Sequence, residues 1–307
     1  FCMPVSGTGS AAMESCFVNM VDKGDKVLII QNGYFGLRME NMCMRLKANI
    51  DLLTFDWGVA ADLNNVEDKI KKNNYDIIAV VHAETSTGVK NNIKEIGKFI
   101  SPDTIFIVDA VTSLGTIDIK VDDWNIDAIY SCSQKGLSCP PGASPISFSD
   151  KALNKMKSRT DLVPNWYLDM IEIIKYWDGN QRAYHHTAPI NMMYALYQAL
   201  EDVKEEGLDN VIKRHKRVHD YLENSLKTIG LELIVKESDR LPSLNAVKIP
   251  ELVDDMHVRS KLLNDYSIEI GGGLGPFAGK VWRIGLMGYS AYEKNVDTLI
   301  NAFKKVL

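Results

Sequence analysis

Six short runs of nearly unbroken apolar residues recur through the first half of the chain: VLII (27–30), IDLLTF (50–55), DIIAVVH (76–82), TIFIVDAV (104–111), DAIYSCS (127–133) and ASPISFS (143–149). Runs this short, rich in β-branched residues and without an alternating polar face, read as strands covered on both sides, the pattern of a parallel sheet. Segments of helical period separate them. Met13, Cys16, Phe17, Met20 and Val21 fall on one helix face, and NNIKEIGKFI (91–100) repeats the spacing. Strand and helix therefore alternate, which predicts an α/β fold with a mostly parallel sheet sandwiched by crossover helices.

The texture changes near Ile190. A long helical segment, NMMYALYQALEDVKEEG, leads to a charged helix over 211–230. Strand-like ELIV (232–235) and LNAVKI (244–249), a Gly-rich loop at 271–275 and the strand KVWRIGL (280–286) follow. This predicts a large domain over 1–210 and a small C-terminal α+β domain over 211–307, which 307 residues can accommodate. Lys and Arg number 35 against 40 Asp and Glu, a formal charge of −5, so no broad basic face for nucleic acid is expected. No apolar run approaches a membrane span. Five cysteines without metal-ligand spacing suit a reducing compartment. The expectation is a soluble intracellular protein, with cytoplasm, peroxisome and mitochondrion undistinguished; the terminal KKVL departs from a peroxisomal address at Val306.

Three features could carry chemistry. Ser6-Gly7-Thr8-Gly9-Ser10 stands directly before the helix at 11–21. Amides at a helix start point outward, the dipole there favours negative charge, and glycines let an anion approach the backbone; plain capping is the alternative. The spacing fits neither the dinucleotide fingerprint nor a P-loop. Asp109 closes the strand TIFIVDAV, at the edge where open α/β sheets hold ligands, or else organises a loop there. Lys135 ends DAIYSCSQKG, after buried sequence and before the rigid loop GLSCPPGASP, so its amine is expected in a crevice. A partly desolvated amine of this kind forms Schiff bases. A phosphate cup, an Asp and a Lys 26 residues later are the three handles that pyridoxal phosphate needs, for its phosphate, ring nitrogen and aldehyde.

Seven segments extend the pattern: VSGTGSAAMES, QNGYFGLR, HAETSTGV, VDAVTSLGT, SCSQKGLSCPPG, WYLDMIEIIKYWDGNQRAYHHTAPI and GGGLGPFAGKVWRIGLMG. In order, and across nearly the whole chain, they resemble the alanine:glyoxylate and serine:pyruvate aminotransferases, class-V enzymes of pyridoxal phosphate fold type I. The resemblance implies a homodimer with shared active sites that moves an amino group between a small L-amino acid (alanine or serine) and a 2-oxo acid (glyoxylate or pyruvate) in a ping-pong cycle. It makes Lys135 the catalytic Schiff-base lysine and Asp109 the partner of the ring nitrogen. Thr8, Gly9, Ser10 and Gln134 match the phosphate cup. Phe35 matches the aromatic ring stacked on the cofactor, where many relatives carry Trp; Val111 packs on the opposite face and Thr85 lies beside the ring hydroxyl. Tyr184 and Thr187 match residues that reach the neighbouring subunit's phosphate. Arg283 matches the Arg that grips the substrate carboxylate, a task suited to a planar fork, and Tyr34 lines the substrate pocket with Phe35.

Other residues read as structural. His82 hydrogen-bonds in the crevice wall, Cys132 and Cys139 are buried thiols, Trp282 is packing, and KRHKR (213–217) is a solvated helix face. His185 and His186 point to different sides of the chain and share no metal. The alternatives are an aromatic-substrate transaminase of hydroxykynurenine type, a class-V lyase or cysteine desulfurase, and a non-catalytic truncated homologue. A desulfurase usually carries His before the lysine, where Gln134 stands here. Relatives also carry an N-terminal segment before SGTGS that wraps the partner subunit; if it is absent, a weakened dimer and low turnover are expected.

Overall fold

Each of the six apolar runs forms a strand. Together with three strands outside those runs (β1, β5 and β6), they are, along the chain, β1 (Cys2–Gly7), β2 (Lys26–Gln31), β3 (Asn49–Thr54), β4 (Ile77–Val81), β5 (Ala83–Glu84), β6 (Val89–Lys90), β7 (Ile105–Asp109), β8 (Ala128–Tyr130) and β9 (Gly142–Phe148). After them come β10 (Leu244–Lys248), β11 (Gly271–Gly272) and β12 (Val281–Gly285). This computed structural model describes residues 1–177 and 183–307.

Seven strands form the main sheet in the order β1-β9-β8-β7-β4-β2-β3. Strands β8, β7, β4, β2 and β3 are parallel, whereas β9 runs antiparallel to both β8 and β1. The carboxyl ends of β1, β8, β7, β4 and β2 therefore emerge along one edge, the place where such sheets bind ligands. The runs lack polar alternation because both faces are covered. Val27, Ile29, Ala79 and Ile107 join the core under α1 (Gly9–Met20) and α2 (Tyr34–Arg45). Leu28, Val80, Phe106 and Val108 join the core under α3 (Leu63–Lys71) and α4 (Ile93–Gly97). Helices α5 (Asp150–Ser158) and α6 (Met170–Trp177) return to the first face.

Helices α7 (Ile190–Glu206) and α8 (Leu208–Lys227) meet at Gly207, whose φ of 83° suits glycine and breaks the long helical run. Beyond them α9 (Asp255–Tyr266) and α10 (Glu293–Val306) pack on a three-stranded sheet, β10-β12-β11, around a separate core of Val218, Leu222, Val247, Leu262, Trp282 and Phe303. Trp282 is fully buried there and its indole N–H donates to Asp255 Oδ1 at 2.9 Å, as packing requires.

Three local expectations are corrected. ELIV (232–235) is not a strand: only Leu233 bridges Val247 before the chain turns into a 3₁₀ segment at Glu237–Asp239. The helix expected over 91–100 shortens to α4, where Gly97 lets the backbone of Trp124 approach so closely that a Cβ would stand 2.1 Å from its carbonyl oxygen. The KRHKR run is only partly solvated. Arg214 and His215 are buried because α8 turns them toward the loop at 288–291. Arg214 forks onto Glu206 (2.6 and 2.8 Å) and donates to the Gly288 carbonyl, while His215 accepts the Gly288 N–H at 2.9 Å. Among the described residues no helix is long and apolar enough to cross a membrane.

Candidate active site

The edge where the parallel strands end gathers most of the residues singled out in the sequence. β1 delivers Thr8 to the start of α1. Thr8 caps that helix with its backbone alone: its carbonyl accepts from Ala11 and Ala12, and its hydroxyl makes no capping bond. Gly9 sits so tightly against the ends of β7 and β8 that a Cβ would lie 3.1 Å from Cys132 and 3.2 Å from Val111. The first turn of α1 thus presents bare backbone, a free hydroxyl on Thr8 and the exposed Ser10, which accepts from Arg38 Nη1 at 2.8 Å. A helix start of this kind can accept an anion.

Asp109 ends β7 with its carboxyl almost fully enclosed. Oδ1 accepts the Val111 N–H at 2.8 Å, whereas Oδ2 is buried without a partner. Burial pushes this carboxyl up to about 7, against the pull of the Val111 amide. The Tyr130 phenol lies within its electrostatic reach, yet its hydroxyl also lacks a properly aligned hydrogen bond. Lys135 follows β8 half-buried, within electrostatic reach of the Cys132 thiol, which burial raises to about 11. Beside it the Gln134 Oε1 is buried and unpartnered. Thr85 and Thr112 share a 2.5 Å hydrogen bond across the ends of β4 and β7.

After β2 the chain turns through Gly33 into α2, presenting Tyr34 and Phe35 edge to face, 5.9 Å between ring centres. Glu84, which sequence reasoning passed over, holds this turn. Its carboxylate accepts from the Phe35 N–H at 3.2 Å and from the Ser86 N–H and hydroxyl at 3.1 and 2.6 Å. A Cβ on Gly33 would meet Glu84 at 2.4 Å, so glycine is needed for space. Burial raises the Glu84 carboxyl, and the hydrogen bonds from Ser86, Phe35 and Gly36 oppose the rise. Only the ETST motif hinted at this residue; a polar residue after a strand ordinarily reads as a surface turn.

Arg283 enters from the other side, on β12. Its Nε donates to the Gly272 carbonyl at 2.8 Å, and Nη1 reaches the Thr85 carbonyl at 3.4 Å. Gly271 leaves room for the guanidinium: a Cβ there would stand 3.3 Å from Nη2. Burial lowers the Arg283 pKa, and Glu84 counteracts it. The C-terminal sheet thus sets a planar cation against the carboxyl edge of the large sheet, on the loop that carries Glu84 and Thr85.

Among the described residues, the Tyr184 and Thr187 hydroxyls make no hydrogen bond to this cluster. Tyr184 is largely exposed and the two hydroxyls bond each other at 3.1 Å. The adjacent histidines correct an expectation: their Nδ1 atoms approach to 2.8 Å, because His186 is drawn in by Ser6 (2.6 Å) and His185 stacks on Trp166. His82 is also corrected. Its ring lies edge-on to Trp124 and its buried Nδ1 makes no hydrogen bond; burial lowers its pKa to about 3.

A ligand with a phosphate, a ring N–H and an aldehyde fits what is present: bare amides at a helix start, a buried carboxylate oxygen lacking a donor, and an amine at the same edge. The sequence profile described as Aminotransferase class-V matches residues 4–299. The chain belongs to the class-V aminotransferase family. This aminotransferase is 38% identical to alanine–glyoxylate aminotransferase of Callithrix jacchus, over 99% of this chain and 74% of that protein. It is 35% identical to (S)-ureidoglycine–glyoxylate transaminase of Bacillus subtilis, over 99% of this chain and 77% of that protein. The crystal structure of alanine–glyoxylate aminotransferase from Nostoc sp. superposes with a TM-score of 0.97 at 46% identity, covering all of this chain and 81% of that one. Membership carries with it the fold type I architecture and transamination supported by pyridoxal phosphate.

Proposed function

We propose that this class-V aminotransferase holds pyridoxal phosphate at the carboxyl edge of its main sheet. There it transfers an amino group from a small L-amino acid, alanine or serine, to a small 2-oxo acid, glyoxylate or pyruvate. Bound there, the cofactor supplies an electron-withdrawing ring and an aldehyde that carries the amino group. Thr8, Gly9, Ser10 and Gln134 would hold its phosphate, Asp109 its ring nitrogen, Thr85 its hydroxyl, and Phe35 and Val111 its two faces. Asp109 would keep the ring nitrogen protonated: its Oδ2 makes no well-aligned hydrogen bond, even to the neighbouring Tyr130 phenol, and a cationic partner favours the charged carboxylate.

Lys135 would provide the amine that holds the cofactor's aldehyde, and the same amine would serve to move the proton at the substrate Cα. Arg283 grips the substrate carboxylate with its fork. Tyr34 and Phe35 narrow the entrance, which suits a small side chain. The observation that carries this reading is Arg283, set against the Thr85 carbonyl at the same edge as the unbonded Oδ2 of Asp109. Glyoxylate appears in the names of both kinds of relative, which supports it as acceptor. The exposure of Tyr184 supports a homodimer in which Tyr184 and Thr187 serve the partner's phosphate.

Half-reactions test the proposal. Cofactor-loaded protein mixed with alanine, serine or kynurenine should lose its visible absorbance fastest with alanine or serine and regain it on adding glyoxylate. Fastest loss with kynurenine, or no recovery with either oxo acid, would refute the assigned pair.

A further inference from the structure

Helix α2 sends one side chain back over the anion cup. Arg38 stands three residues beyond Phe35, so the two share a helix face. Its guanidinium lies 5.0 Å from the Phe35 ring centre and 5.6 Å from that of Tyr34, and Nη1 donates to Ser10 Oγ at 2.8 Å. Two aromatic faces and one hydroxyl therefore fix a half-buried fork. Among the described residues no carboxylate forms a salt bridge with it; the nearest acid along α2, Glu40, is engaged with Gln31 instead. Its charge still reaches the site floor, where it draws the Asp109 carboxyl down against burial. A held cation without an anion, next to the exposed hydroxyl of Ser10 and the first amides of α1, is a preformed half of an ion pair.

We infer that Arg38 is the cationic wall of the phosphate cup. One guanidinium edge stays on Ser10 and another reaches the dianion of a bound phosphate monoester. The inference rests on the reading of Thr8–Ser10 as the phosphate cup and adds to it the residue that supplies its charge. It also gives the Tyr34-Phe35 turn a second task, since the rings that border the substrate pocket hold the phosphate-binding cation in place. Neutral donors at a helix start accept a phosphate, but a fixed guanidinium distinguishes it from an uncharged hydroxymethyl group.

The test uses cofactor-free protein, wild type and the variants Arg38→Gln and Arg38→Lys, titrated by tryptophan quenching with pyridoxal phosphate, with pyridoxal, and with inorganic phosphate as competitor. Arg38→Gln should weaken pyridoxal phosphate by about 10-fold, at the modest end for a charge-assisted hydrogen bond, and pyridoxal by less than about 2-fold. Inorganic phosphate should lose competing power in parallel, and Arg38→Lys should recover part of the loss. Melting temperatures check that each variant is folded. If Arg38→Gln keeps the wild-type ratio between pyridoxal phosphate and pyridoxal, Arg38 is not the cationic wall and the cup stands without it. If the wild type itself prefers pyridoxal phosphate no more than pyridoxal, the cup reading falls and the inference falls with it.

Discussion

Asp109→Asn separates the electrostatic cost of this site from its packing. Asp109 is 2% exposed at the end of β7, and burial moves its carboxyl from 3.8 to about 7. Between those values the folded chain keeps a proton that the unfolded chain has released. The group's contribution to stability is therefore complete at low pH and is lost progressively as pH rises from about 4 to about 7. At about 1.4 kcal/mol per pH unit, the whole interval corresponds to about 4 kcal/mol, of which about 3 kcal/mol falls above pH 5. Asn occupies the same space and still accepts the Val111 N–H, but it does not titrate. Urea unfolding of cofactor-free protein at about pH 5 and about pH 8 should show the wild type losing about 3 kcal/mol more than Asp109→Asn. Titrating groups that do not feel the Asp109 charge cancel in the comparison; Glu84, which does, is the nearest coupled carboxyl. Added pyridoxal phosphate should reverse the order at the higher pH, because a ring N–H gives the wild-type carboxylate the partner it lacks. Parallel pH dependences in the two cofactor-free proteins would refute the reasoning, since Asp109 would then be ionised or solvated in the folded state.

Arg283→Lys should raise KM for both the amino acid and the oxo acid by about 10- to 100-fold, the worth of a bidentate charge-assisted contact, and leave the cofactor dissociation constant unchanged. Steady-state kinetics beside a cofactor titration read both, and an equal loss in cofactor binding would contradict the assignment. Gly33→Ala should cost about 1–3 kcal/mol by driving a methyl group into Glu84, seen as a lower melting temperature; an unchanged one would mean that the turn yields freely. Arg214→Ala should cost about 3 kcal/mol in urea unfolding, because Glu206 and the Gly288 carbonyl lose a buried partner, and Arg214→Lys should restore less than half of it.

The sheet was legible because its strands are buried on both faces: Leu28, Ile29 and Ile30 alternate between two cores, so no polar residue interrupts the run. β1 escaped notice because CMPVSG carries Pro4 and Ser6 and pairs only with β9, a strand whose antiparallel direction no residue pattern announces. Thr8–Ser10, Asp109 and Lys135, which the structure brings to one sheet edge, could be singled out as candidates since each stands where an apolar run or a helix begins or ends. Glu84 and Arg38 were not, because their partners are distant in sequence and made by folding: Glu84 meets backbone at Phe35, and Arg38 meets Ser10. Arg214 and His215 misled for the same reason. A basic run reads as solvated until a loop 74 residues away covers it.

The central claim is that Lys135 carries the cofactor. Borohydride reduction of pyridoxal-phosphate-loaded protein, followed by digestion and peptide mass spectrometry, tests it directly. A single phosphopyridoxyl adduct on Lys135, absent from folded Lys135→Ala, is the predicted result. An adduct on another lysine, or transaminase turnover that survives in Lys135→Ala, would contradict it.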